Sequence, residues 1–288
     1  MRAIAVLYGT LIALTPTYAH QPVMDMAPRW AKGYGFQIRH EQYGSDDLRQ
    51  EHDGANNPLR LERFVDTTWL EGVYTFNRAV RATIKIPYMD QARVKGINGV
   101  GVPQQNSGLG DVILGLPLKR YKNQGATTSN WGITPSLRIP TGASSGDFPL
   151  SDGSWDLGLS VAYSWESPRF YQLYDLHYWN QGSGDRGMQS GDHWGLDVNL
   201  GIHPWHSNET NSGIFLMWDV SARNDDAPNA LNLTTASGGE FVQTGPVLVY
   251  YRGGFMARAE YKFLAYERVD GTSLSRGDEF SLGFGFAF

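Results

Sequence analysis

From Phe280 to Phe288 the chain alternates without a fault, with Phe, Leu, Phe, Phe and Phe on even positions and Ser, Gly, Gly and Ala on odd ones. Successive residues of a strand point to opposite faces, so this segment has one oily wall and one small, polar wall. On a free edge in water so many aromatics would invite aggregation. Facing lipid, in a sheet whose edges close on each other, the same pattern is stable. The competing reading of this one segment is the closing strand of a soluble β-sandwich.

The pattern recurs, and recurrence favours the membrane reading. Trp194, Leu196, Val198, Leu200 and Ile202 interleave with Gly195, Asp197, Asn199, Gly201 and His203. Leu157, Leu159, Val161, Tyr163 and Trp165 do the same with Gly158, Ser160, Ala162 and Ser164. Aromatics often end these rows, as a girdle at a membrane interface requires. The period-two test gives about twelve strands. Their expected spans are 33–42, 62–76, 80–91, 109–121, 130–140, 156–165, 170–179, 193–204, 213–223, 241–251, 255–266 and 279–288. The second, seventh and tenth are the least clean, with apolar residues on both faces. An even count suits a single-chain bacterial barrel. With both termini periplasmic, the external links become 43–61, 92–108, 141–155, 180–192, 224–240 and 267–278. The internal ones are short, notably Asn77-Arg78-Ala79 and Arg252-Gly253-Gly254. That asymmetry belongs to outer-membrane barrels and has no reason to exist in a sandwich.

The start of the chain reads as a secretory signal over 1–19: Arg2, an apolar run from Ala3 to Leu14, and small residues before a cleavage point after Ala19. Its removal takes the formal charge from −5 to −6, since Arg2 is the only charged residue lost. Residues 20–288 form the expected barrel, with 20–32 as a periplasmic leader. No later stretch has the roughly 18 apolar residues of a membrane helix, and mean hydropathy is −0.37. The chain contains no cysteine although an exported protein could use disulfides, so the fold takes its stability elsewhere. No basic stripe exists, which excludes nucleic acid as an expected partner.

The stretch from Leu70 to Trp165 resembles the outer-membrane transporter family named for the meta-pathway of phenol degradation. The resemblance rests on Ile86-Pro87-Tyr88, on Gly108-Leu109-Gly110-Asp111 opening a strand, and on Ile139-Pro140-Thr141-Gly142 closing one. It implies an outer-membrane location strongly and a solute only faintly, with a small organic or aromatic compound as the default. The terminal Phe288 resembles the signal that such barrels present to the barrel assembly machinery.

Candidate chemistry lies on the face opposite lipid. Arg39, Glu41, Glu71, Arg81, Lys85, Asp111, Lys119, Arg138, Asp175, His177, Asp197, Asp219, Arg258, Glu260 and Lys262 fall there by parity. Such groups either pair across a lumen and plug it or line a wet path for solute. Arg81, Lys85, Asp111, Arg138, Arg258, Glu260 and Lys262 are the expected lumen-lining set. Enzyme activity is not expected. No histidine is followed two residues on by Ser, as in lipid-hydrolysing barrels. Gly142-Ala143-Ser144-Ser145-Gly146 spells a nucleophile elbow without the helix that motif needs. His20 with Met24 and Met26 offers soft metal donors, and Asp46, Asp47, Glu51 and Asp53 offer oxygens. A leader and a solvated loop are the plainer readings, so no cofactor or metal is expected. The sequence therefore reads as a monomeric, antiparallel up-and-down barrel of about twelve strands, in the outer membrane of a Gram-negative bacterium. Membrane lipid and lipopolysaccharide surround it, and small solutes cross it passively. The alternative is a structural or adhesive barrel acting through its external loops.

Overall fold

The computed structural model describes residues 31–145, 148–185, 189–227 and 238–288, so the signal, His20, part of the leader and Gly146 lie outside the described residues. A closed antiparallel barrel of twelve wall positions fills this span. They begin with β1 (Gly33–Ser45), β4 (Glu62–Asn77) and β5 (Val80–Ile97). The fourth position is shared by β7 (Val112–Gly115) and β8 (Leu118–Gln124), followed by β9 (Thr127–Ile139), β10 (Asp156–Glu166) and β11 (Phe170–Asn180). Then come β12 (His193–Ser207), β13 (Ser212–Asp225), β14 (Gly239–Arg252), β15 (Phe255–Val269) and β17 (Asp278–Ala287). Each wall position pairs with the one before it, and β17 returns to β1. Closure leaves no unpaired edge in the hydrocarbon, where no water could satisfy it.

The seam between β17 and β1 is built by the alternation that opened the sequence. Phe286 lies opposite Phe36 and Phe284 opposite Ile38, all outside, while Gly283 lies opposite Arg39 inside. Phe288 adds one more rung: its N–H donates to the Tyr34 carbonyl at 2.7 Å, and its carbonyl accepts from Tyr34 N–H at 3.1 Å. Its ring lies 5.8 Å from that of Tyr34 and 6.0 Å from that of Phe36. Elsewhere the facing follows parity: Asn199 is 0% exposed and its neighbour Leu200 is 49% exposed. Leu70, Leu159, Leu176, Leu196, Leu216 and Leu248 continue the outer aliphatic belt. Tyr34, Tyr74, Phe76, Phe170 and Trp205 girdle the periplasmic end, and Phe64, Tyr88, Trp155, Tyr178 and Trp194 the external end.

Three departures from the sequence reading have local causes. Residues 92–108 are not a loop: β5 continues to Ile97 and turns back as β6 (Val100–Leu109), paired from Tyr88↔Leu109 to Ile97↔Val100. The turn is Asn98-Gly99, both at positive φ (50° and 79°), the two-residue geometry that matches strand twist. About ten residues cross a bilayer as a strand, so this hairpin stands outside it. The fourth wall strand is broken at Leu116-Pro117, where proline cannot donate to the ladder. The first and sixth external links also carry strands. β2 (Leu48–Gln50) pairs with β3 (Asp53–Ala55) and with β16 (Thr272–Leu274) in a separate three-stranded sheet.

Leu200 sits mid-strand in the belt, so Leu200→Arg should destabilise the barrel by about 2–4 kcal/mol, whereas Leu200→Phe should be nearly neutral. Urea unfolding in lipid vesicles, read by heat-modifiable gel migration, measures both.

Candidate functional site

The inner wall follows from parity, and its charges organise into groups along the wall. Glu71 and Lys85 are direct cross-strand partners on β4 and β5. Arg39 of β1 bonds Glu71 at 2.9 Å and also pairs with Glu41, which accepts from Trp69 Nε1. On the far side of the seam β15 carries Arg258, Glu260 and Lys262 in one inward row. Arg258 reaches Glu260 at 2.8 Å, and Lys262 bonds Asp219 of β13 at 3.0 Å, Ser221 Oγ at 2.9 Å and Glu260 at 3.4 Å. Asn199 donates to the other Asp219 oxygen. Between the two groups β17 turns Glu279 toward Lys262 and then offers only Ser281, Gly283, Gly285 and Ala287, and Arg39 Cγ comes within 3.5 Å of where a Gly283 Cβ would stand. The small wall is thus the floor on which flanking long side chains lie.

Arg138 belongs to the external end, bonded to Asp156 at 2.9 Å with its guanidinium carbon 4.6 Å from the Trp179 ring centre. Arg276 is held between Tyr43 and Phe241 at 4.6 and 5.1 Å. Arg81 lies at the periplasmic end and donates to Tyr121 Oη at 2.9 Å. Lys85 and Arg138 share one rung through Ile113, whereas Arg81 lies four residues nearer the periplasmic end of β5, and the three have different partners. These ion pairs join strands that are neighbours or next neighbours in the wall.

Asp111 has a different role from the rest of its set. Its carboxylate accepts from Gly142 N–H at 3.0 Å and Ser151 Oγ at 2.8 Å. Thr141 Oγ1 donates to the Gly110 carbonyl at 2.9 Å and accepts from Val112 N–H at 3.0 Å. The Gly-Leu-Gly-Asp and Pro-Thr-Gly motifs thus meet, and they tie the third external link to the barrel rim. A Cβ on Gly142 would stand 3.1 Å from Gly110 Cα and from the Leu109 carbonyl oxygen, so the close approach requires glycine. Beyond the tie, burial works against ionisation of Asp152, but hydrogen bonds from Ser154 and Ser190 outweigh it and hold its carboxyl below the ordinary range. Ser144, the centre of the elbow-like motif, donates to Asp185.

One inner feature escaped the sequence reading. Tyr171, Phe215, Met217, Val247, Val249, Tyr251 and Met256 form a buried apolar cluster inside the barrel toward the periplasmic end. His203 stacks on Phe215 at 4.1 Å. The signal was present as apolar residues on both faces of 170–179 and 241–251. Among the described residues, one group has donor types and spacing suited to a metal ion: Asp175, His177 and Asp197.

The sequence matches the family described as "Putative MetA-pathway of phenol degradation" over residues 54–275, most of the chain. The chain belongs to that family. Its fold is that of an outer membrane channel from Pseudomonas putida F1, at 12% identity and TM-score 0.68, over 95% of this chain and 98% of that one. Weaker likenesses are the NanC porin (14% identity, TM-score 0.46, 87% and 98% coverage) and a FadL homologue of Pseudomonas aeruginosa (9%, 0.40, 88% and 90%). No curated protein matches in sequence. With the apolar belt and girdles described above, family and fold place the protein in the bacterial outer membrane. The motif contacts explain why Gly108-Leu109-Gly110-Asp111 and Pro140-Thr141-Gly142 occur together in this chain.

Two outcomes follow. Asp111→Ala should free the third external link, at about 1–3 kcal/mol for the bonds lost, seen as faster proteolysis of 141–155 in a barrel that still folds. Lys262→Met should cost more, about 3–5 kcal/mol, because it strips Asp219 and Glu260 of a buried partner; urea unfolding in vesicles measures it.

Proposed function

We propose that the protein is a passive channel for small organic solutes, aromatic ones among them. The observation that carries this reading is the direction of the charge pairing. Arg39–Glu71, Arg138–Asp156 and Lys262–Asp219 run along the wall, and they do so without spanning the lumen. Side chains paired in this way line a path and tune its field. Lys85, Arg138, Arg258, Glu260 and Lys262 are proposed as that lining; Arg81, expected there by parity, is 1% exposed and packs against Tyr121 instead. The stacked pairs Arg138–Trp179 and Arg276–Tyr43 give a ring-bearing solute surfaces to slide over, through stacking and cation–π attraction, while the buried cluster around Phe215 packs one side of the interior. Lipid and lipopolysaccharide are the surrounding partners, Phe288 the proposed mark for the assembly machinery, and the working unit a monomer.

Purified protein in planar bilayers should conduct, and liposomes carrying it should admit benzoate faster than a sugar of equal size. Replacing both Lys85 and Arg138 with Ser should shift the reversal potential toward cations, since two fixed positive charges leave the path. A folded protein that stays silent would leave the structural or adhesive role as the reading to pursue.

A further inference from the structure

We propose that Asp175, His177 and Asp197 form a binding site for a divalent transition-metal ion of the zinc class, set into the inner wall just inside the external mouth. Strand register brings the three side chains together. Asp175 and His177 are two apart on β11, so they share its inward face, and Asp197 of β12 lies directly opposite Asp175. Opposed like charges on one face of a sheet are destabilising. Most carboxylates nearby have a cation of their own: Asp156 has Arg138, while Asp219 and Glu260 share Lys262. Lys262 acts on Asp197 from farther away and is bonded to Asp219 and Glu260. Among the described residues the ion-pair contact of Asp175 and Asp197 is His177, whose Nδ1 stands 3.5 Å from an oxygen of each. One ring nitrogen cannot hydrogen-bond two carboxylates at that distance.

The space around the imidazole points the same way. The residue opposite His177 is Gly195. A Cβ there would lie 2.6 Å from His177 Nε2 and 2.7 Å from Cε1, so glycine leaves room for the ring to stand against the two acids. The His177 side chain is 11% exposed, and the acids are 28% and 25% exposed. His177 Nδ1 stands 3.5 Å from an oxygen of each acid, close to the edge of about 3.4 Å of a tetrahedron with bonds of about 2.0–2.2 Å. All three ligand atoms lie within 4.8 Å of one another, a gap that a small side-chain shift closes. One imidazole with two carboxylates suits a borderline ion better than calcium or magnesium, which prefer oxygen alone. Three protein ligands leave a coordination position open toward the lumen for water or for a donor on a passing solute.

Cobalt(II) is the probe, because its visible absorption reports inner-sphere ligands. Folded full-length protein titrated with Co²⁺ should develop saturable d–d bands, and Zn²⁺ should abolish them. His177→Ala and Asp197→Asn should each weaken binding by more than about tenfold, since loss of a mere supporting contact already costs about 10–100-fold. Gly195→Ala should weaken it as well, by crowding the ring while every ligand remains. Heat-modifiable migration confirms that each variant is folded, and Asp197→Asn relieves a repulsion, so that variant has no reason to misfold. Absence of saturable binding by the wild type at millimolar Co²⁺ would overturn the proposal. Undiminished binding in folded His177→Ala would do the same, by placing the metal elsewhere.

Discussion

Every backbone N–H and C=O that enters the hydrocarbon must find its partner within the protein, because there is no water to serve as one. For a sheet this demand can be met only by closure, and the rest of the molecule follows from it. Closure forces strict alternation, since each residue must face lipid or lumen. It needs an aliphatic belt between aromatic girdles, and from Ser281 to Ala287 it leaves the inward positions of β17 small, with the Arg39 side chain of β1 lying against Gly283. The last wall strand and the charge groups beside it are two aspects of one packing solution.

Charges on the inner wall are arranged by the same economy. Lys262 serves Asp219 and Glu260 together with Ser221, and Arg39 serves Glu71 and Glu41. Groups held side by side in this way satisfy one another without reaching across the barrel. Asp175 and Asp197 stand outside the arrangement, opposite one another with a single imidazole between them. In a wall where most acids hold a cation in direct contact, two opposed acids sharing one imidazole are the place to look for a ligand.

Much of this was legible in the sequence, because a barrel states its facing residue by residue. Leu200 outside and Asn199 inside follow from parity alone. Regions where parity failed to sort apolar from polar were those where the lumen itself is apolar: Tyr171, Phe215, Val249 and Tyr251 pack inward while Phe170, Leu216, Leu248 and Tyr250 face out. A period-two test cannot separate two oily faces. The external hairpin was missed for another reason. Long polar stretches such as Gln104-Gln105-Asn106 resemble loops, although Asn98-Gly99 carried the turn signal. The carboxylate of Asp111 was assigned to the lumen by its parity, yet its partners Gly142 and Ser151 come from a link whose course no local pattern reveals. Nor does spacing within one strand disclose that Asp175 meets Asp197, because that contact depends on the register between two.

The small sheet of β2, β3 and β16 joins the first and sixth external links, which leave the barrel on either side of the β1–β17 seam. That seam unites segments nearly the whole chain apart, the most entropically demanding pairing in the fold. Thr272 paired with Gln50 and Leu274 with Leu48 fasten the same two ends a second time, beyond the membrane. The molecule thus carries a clasp over its own join: a breach that begins at the outer rim must first undo strands in water before it reaches the rungs in lipid.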